Sequence, residues 1–324
     1  MRNRLQKTFV IKFYNKLFGG ENMSRQKIFV ELMATLIDKQ INLNDKILLS
    51  RTELESNCDK LSAEIGTRLT VDMNSGYEPC PFCCSHIDEP FDFVWVGINP
   101  GGVLNSWQDL NFSWQTTWQE LTDFCVPRGD IRTDEKNCWQ YLKRGNVESN
   151  YYRFFLRVLT ALTTGEIYNK RGDLRKNYAD VENFFIEHFA QHSILNADLV
   201  PYKSEKIDFT AKNLLNDASY KNYFRRLIRF IEEESKPDAW IIFFGAREDV
   251  WQLLHEVAPD WNVPAQNDCI KIYGKQHKRA NHFYLFARGR QKILLSPQIN
   301  ERSELIDCMG NLIDVLKNFE RTLG

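Results

Sequence analysis

Apolar and polar positions change their period several times along the chain, and each change marks an element. From Lys7 to Leu69 the sequence is polar, helix-favouring and free of proline, with Ile28, Leu32 and Ile37 spaced for one helical face. This predicts an N-terminal helical segment over residues 1–75. Gly76, Pro79, Pro81 and Pro90 then punctuate a cysteine-bearing loop, which sets the start of a main domain at residue 76. Phe91 to Ile98 (FDFVWVGI) is β-branched, aromatic and almost continuously apolar, the pattern of a buried parallel strand, and it runs into the turn Asn99-Pro100-Gly101-Gly102. Residues 103–150 scatter Trp107, Phe112, Trp114, Trp118 and Trp139 without a period and read as an irregular, aromatic-rich insertion.

Beyond the insertion the periods alternate. Helical spacing covers Tyr151 to Leu162 and Val181 to Ala190, with a basic loop between them. A strand is predicted over Ser193 to Val200, closed by Pro201. There follow a helix over Tyr220 to Glu234, a strand over Ala239 to Phe244, a turn at Gly245, a helix over Arg247 to Val257 and a closing strand over Lys292 to Ser296. Cys269 to Tyr273 and His282 to Ala287 read as a small antiparallel addition. This rhythm predicts an α/β fold: a three-layer, doubly wound, mostly parallel central sheet with helices on both faces. Its ligand site belongs beyond the carboxyl ends of the strands, bounded by the loops Gly97 to Gly102, Asn196 to Lys203 and Ser296 to Arg302. These loops carry Asn99, Asn196, Ser296, Gln298 and Asn300, which orient water and read donor and acceptor edges but are not strong acids or bases.

Composition narrows the class. With 43% hydrophobic and 26% charged residues, and only 16 Gly and 10 Pro in 324, collagen-like and wholly disordered chains are excluded. The 42 Lys plus Arg nearly balance the 43 Asp plus Glu, so any polyanion site must come from local clustering. No apolar run is long enough to span a bilayer and no export signal is legible, which predicts a cytoplasmic protein with reduced thiols and no membrane association. Cys80 and Cys83 have the spacing of half a metal site, with Cys84 and His86 close by, but Cys58, Cys125 and Cys138 supply no second close pair. No metal and no cofactor is therefore assigned.

Phe93 to Gly101 (FVWVGINPG) resembles the first active-site motif of the uracil-DNA glycosylase superfamily, in the Gly-Ile-Asn-Pro-Gly form of its mismatch-specific thymine/uracil branch. Ser193 to Tyr202 (SILNADLVPY) resembles the segment in which an asparagine reads the flipped pyrimidine, and Asn196 falls on that position. Trp240 to Val257 is similar to the strand, glycine and helix that follow, and Lys292 to Ile299 (KILLSPQI) stands in the place of the minor-groove loop, without the histidine many members carry there.

The resemblance implies a monofunctional DNA glycosylase acting as a monomer on a flipped base. Asn99 would hold the attacking water. Asn196 would bind the base edge, Ile98 would line the base pocket, and Phe112, ahead of Trp107, would stack on the base. Ser296 would contact a phosphate, while Gln298 and Ile299 would enter the minor groove.

Of the basic clusters, Lys143-Arg144, Lys170-Arg171, Arg225 to Arg229, Lys275 to Arg279 and Arg288 to Lys292, the last immediately precedes the minor-groove loop, which makes Arg288 and Arg290 candidate DNA contacts. The long aromatic insertion would suit a bulky base, such as a hypermodified phage cytosine excised in defence. Two other classes remain open: a silent binder of modified DNA with the same fold, and a hydrolase of free nucleosides.

Overall fold

The computed structural model describes residues 27–29, 31–35, 51–66, 68–70, 82–84, 89–98, 150–168, 191–204, 210–274, 280–297 and 305–323. Its elements are α1 (Arg51–Ile65), β1 (Leu69–Thr70), β2 (Phe82–Cys84), β3 (Phe91–Gly97), α2 (Asn150–Thr163), β4 (Ile194–Asp198) and β5 (Lys203–Ser204). They continue with α3 (Ala211–Asn216), α4 (Ala218–Glu234), β6 (Ser235–Phe244), α5 (Arg247–Val257), β7 (Ile270–Tyr273), β8 (Ala280–Arg288), β9 (Gln291–Ser296) and α6 (Leu305–Leu323). Residues 27–29 and 31–35 are also helical.

The chain is α/β, built on a mixed seven-stranded sheet of order β2-β4-β3-β6-β9-β8-β7. The pairings β4–β3, β3–β6 and β6–β9 are parallel. Those of β2 with β4, β8 with β9 and β7 with β8 are antiparallel. The expected parallel character thus belongs to the central four strands alone. In chain order they run second, first, third, fourth. The antiparallel pieces do not form a separate addition: β8 pairs directly with β9 and extends the main sheet. The cysteine-bearing stretch, read as a loop, contains the edge strand β2, whose three residues between Pro81 and a polar run are too few to show a period.

Local sequence explains the regular elements. Thr210 and Asp217 cap α3 and α4 by accepting the Asn213 and Tyr220 backbone N–H groups. In β6, Ser235 pairs with Phe91 and the register then jumps to Trp240 opposite Phe93. Pro237 lies in the exposed stretch between, where it has no N–H to give to a ladder. Alternation along the strands sends neighbouring side chains to opposite faces. Phe244 stacks on Phe154 of α2, with ring centroids 5.3 Å apart, while its neighbour Phe243 meets Trp261 beyond α5. Trp95, 1% exposed, packs on Phe154, Phe155 and Phe244. Truncating so large a buried ring costs about 3–5 kcal/mol.

Phe230 of α4 packs on Phe82 and Phe91, and Phe29 of the N-terminal helical stretch meets Phe82 edge-on. Phe29, Leu32 and Met33 thereby join the same hydrophobic cluster as the sheet. The terminal helix α6 was not expected. It buries Leu312, Ile313 and Leu316, and its Glu320 accepts from Trp240 Nε1 and from Lys292 Nζ at 2.7 Å. None of the described helices is long and apolar enough to cross a membrane.

Candidate functional site at the carboxyl edge of the sheet

In open α/β sheets a ligand crevice is expected where the connections leaving two adjacent parallel strands depart to opposite sides. Here those strands are β3, whose chain continues to β4 on one side, and β6, whose chain continues to β9 on the other. Backbone hydrogen bonds carry the strand ends past the regular ladder. The Leu199 N–H donates to the Gly97 carbonyl at 2.9 Å and the Val200 N–H to the Ile98 carbonyl at 2.8 Å. Across the crevice the Gly245 N–H donates to the Ser296 carbonyl at 3.0 Å. The residues immediately before Asn99 are therefore fixed to the end of β4, and the turn after β6 is fixed to the end of β9.

The turn from β6 into α5 uses two consecutive residues at positive φ, Gly245 at 87° and Ala246 at 41°. Glycine adopts this region freely, whereas an alanine there costs about 1–2 kcal/mol. The pair reverses the chain within two residues and starts the helix beside the crevice.

The expected site residues separate into groups. Ile98 is buried immediately after β3. Asn196 lies within β4 rather than at its end, in register with Trp95 on one side and Cys83 on the other, and is partly exposed. Ser296 closes β9, fully buried, with its hydroxyl donating to the Pro297 carbonyl at 3.0 Å. Asn99, Phe112, Gln298 and Ile299 lie outside the described residues, as do Cys80 and the basic clusters at 143–144, 170–171 and 275–279.

Arg288 and Arg290 stand apart from the other expected residues. Arg288 ends β8 opposite Gln291, the first residue of β9, so both arginines lie at the amino edge of the parallel strands. A strand rises about 3.3 Å per residue, which puts the start of β9 roughly 17 Å from its end at Ser296. Adjacency along the sequence concealed the length of the intervening strand. Arg288 moreover faces Glu232 at 3.5 Å and Asp260 at 3.7 Å. In the helical cluster Arg226 pairs with Glu31 at 2.9 Å, and Arg229 with Glu233 at 2.9 Å. These cations serve intramolecular pairs.

The residue that sequence reasoning passed over is Asp198. It ends β4 in register with Gly97, so its side chain stands on the same face as Trp95 and Gly97, the face covered by α2. Gly97 has no side chain, so the neighbouring strand sets none beside the carboxyl in that register. Tyr223 of α4 donates its hydroxyl to the Asp198 backbone carbonyl at 2.7 Å, which pins the strand end from the other layer. Asp198 is only partly exposed, and burial alone pushes its carboxyl up to about 8. Among the described residues no charged neighbour contributes to that shift. An acid so perturbed is largely protonated at neutral pH and presents an O–H donor beside a carbonyl acceptor. Its only sequence signal was its place two residues after Asn196 at a strand end.

No protein-family model, curated protein or solved structure matches the chain. The chemistry of the edge itself must carry the functional reading. Among the described residues the polar side chains that the strands bring to this edge are the Asn196 amide, the Asp198 carboxyl and the Ser296 hydroxyl, with no cation among them to favour a phosphate or a carboxylate.

Proposed function

We propose that the chain is a monofunctional DNA glycosylase of the uracil-DNA glycosylase type, hydrolysing the N-glycosidic bond of a flipped modified or mismatched pyrimidine and leaving an abasic site. The fold reading that goes with it is a three-layer, doubly wound domain, supported by Phe243 and Phe244 meeting helical elements on opposite faces. One observation carries the functional reading. The strand leading into Gly-Ile-Asn-Pro-Gly is the first of the four parallel strands in the chain and borders the crevice, while Asn196 and Asp198 come from the strand hydrogen-bonded to it.

In this reading the chain acts on DNA, in the cytoplasm and as a monomer, with no metal or cofactor in the reaction. Asn99 positions the water, and Asn196 contacts the base. An amide takes no proton as a carboxylate does, so the rate depends on proximity and on the electrostatics of the crevice. The insertion at residues 103–150 favours a bulky base, and a hypermodified phage cytosine fits that preference.

The test is abasic-site formation on duplex and single-stranded DNA carrying uracil, mismatched thymine, hydroxymethylcytosine or its glucosylated form, with strand breaks revealed by alkali. Asn99→Ala is expected to lose product on the order of 100-fold while keeping DNA affinity. Tight binding without breaks on every DNA would favour a silent binder. Activity on free nucleosides alone would favour a small-molecule hydrolase.

A further inference from the structure

Resting on the glycosylase reading, we propose that the Asp198 carboxyl is the proton donor of the site, meeting the edge of the flipped pyrimidine and protonating the base as it departs. The position argues for this. Asp198 ends the strand next to the one that leads into Asn99, and the Leu199 N–H bond to the Gly97 carbonyl fixes the two strand ends together. Its side chain projects on the same face as its register partner Gly97, which sets no side chain beside it. A carboxylic acid there offers a donor and an acceptor side by side, the complement of the donor and acceptor pair on a pyrimidine's pairing edge.

A structural role would normally come with a partner. Asp217 caps α4, Asp249 accepts the Ala211 backbone N–H at 2.7 Å, and Asp92 accepts from Ser193 and Lys236. Asp198 has no such bond to its carboxyl among the described residues. From the elements packed around it, Tyr223 donates to its backbone carbonyl, and the buried Arg157 of α2 donates to the Tyr168 carbonyl. Among the described residues, burial is the one cause of the shift in its titration.

The step balances without a further reactant. As the bond between the sugar C1′ and the base nitrogen breaks, its electron pair leaves with the base. The Asp198 proton neutralises that charge. The water held beside Asn99 bonds through its oxygen to C1′ and releases one proton, which restores the Asp198 carboxyl. The products are the free base and an abasic sugar.

The experiment is single-turnover excision between pH 6 and 9 on whichever DNA of the panel the wild type cuts. Wild type and Asp198→Asn are compared, with DNA affinity and thermal unfolding measured on both. The asparagine donates a hydrogen bond but transfers no proton, so the expected loss at pH 7 is about 100-fold with affinity retained. The wild-type rate is expected to fall about tenfold per pH unit above pH 8, and the variant's residual rate to lose that limb. Equal rates for the two proteins, or the same alkaline limb in both, would overturn the Asp198 role and leave the glycosylase reading standing. A wild type that cuts none of the DNAs would remove both. If Asp198→Asn does not fold, the wild-type profile decides, and a rate that does not fall above pH 8 overturns the proposal.

Discussion

At the amino edge of the parallel strands, Asp92 meets Lys236 at 2.6 Å and accepts the Ser193 backbone N–H at 3.0 Å; at the carboxyl edge, Asp198 meets no cation among the described residues. The amino edge continues in the same manner. Lys292 is paired with Glu320 at 2.7 Å, Arg288 faces Glu232 and Asp260, and the Gln291 side-chain amide donates to the Lys236 carbonyl at 3.2 Å. Each of these contacts joins separate stretches of chain, so the charges at that edge hold strands, turns and the terminal helix in register. At the other edge the acid is desolvated with no compensating cation among the described residues, and Ala246 accepts a left-handed backbone. Among the described residues, the desolvated acid and the left-handed alanine both stand at the carboxyl edge. Such departures from local rules lower stability and persist where a site needs them.

The pH dependence of stability gives the largest expected effect. An aspartate in the unfolded chain titrates near 3.9, whereas Asp198 in the folded protein titrates at about 8. Between those values the native state keeps a proton that the unfolded chain has released. Its contribution is fully present below about pH 4 and is lost as pH rises through about 8. Asp198→Asn should therefore flatten the decline, raising the melting temperature by a few degrees at pH 8 and changing it little at pH 4. A variant that is less stable at pH 8 would mean that the carboxylate has a compensating partner, and the contrast between the edges would disappear.

Asp92→Ala comes next. It leaves Lys236 without its anion and the Ser193 N–H without its acceptor, and both groups are partly enclosed. The expected cost is about 1–3 kcal/mol in chemical denaturation, with no change in the pH profile of excision. Arg288→Ala should do least. Its pairs with Glu232 and Asp260 are long, at 3.5 and 3.7 Å, so a change within about 1 kcal/mol is expected, with DNA affinity unaltered. A clear loss of affinity would show that the amino edge touches DNA after all.

Much of the sheet was legible in the sequence because its strands are apolar on both faces and its helices have plain periods. Arg247 to Val257 was bounded correctly from the Gly245 turn and the spacing of Val250, Leu253 and Leu254. The terminal helix had an equally readable period in Met309, Leu312, Ile313 and Leu316, so its signal was present too. The register shift opposite Phe91 and the three-residue strand β2 depend on partners distant in the chain and leave no local pattern. The site divides in the same way. The turn after Ile98 announces itself through glycine, asparagine and proline. By contrast, Ile-Leu-Asn-Ala-Asp looks like a strand fraying into solvent, because nothing in those five residues shows that the final carboxyl will be enclosed by other elements. The place of Arg288 was hidden for the complementary reason: closeness along the chain is not closeness in space when a whole strand intervenes.

The most direct measurement compares abasic-site yield on the DNA panel for three proteins: wild type, the carboxyl-edge variant Asn99→Ala and the amino-edge variant Arg288→Ala. A working carboxyl edge predicts that wild type and Arg288→Ala cut the same base at rates within about twofold, while Asn99→Ala loses on the order of 100-fold. Excision that survives Asn99→Ala, or that disappears with Arg288→Ala in a folded protein, would contradict it.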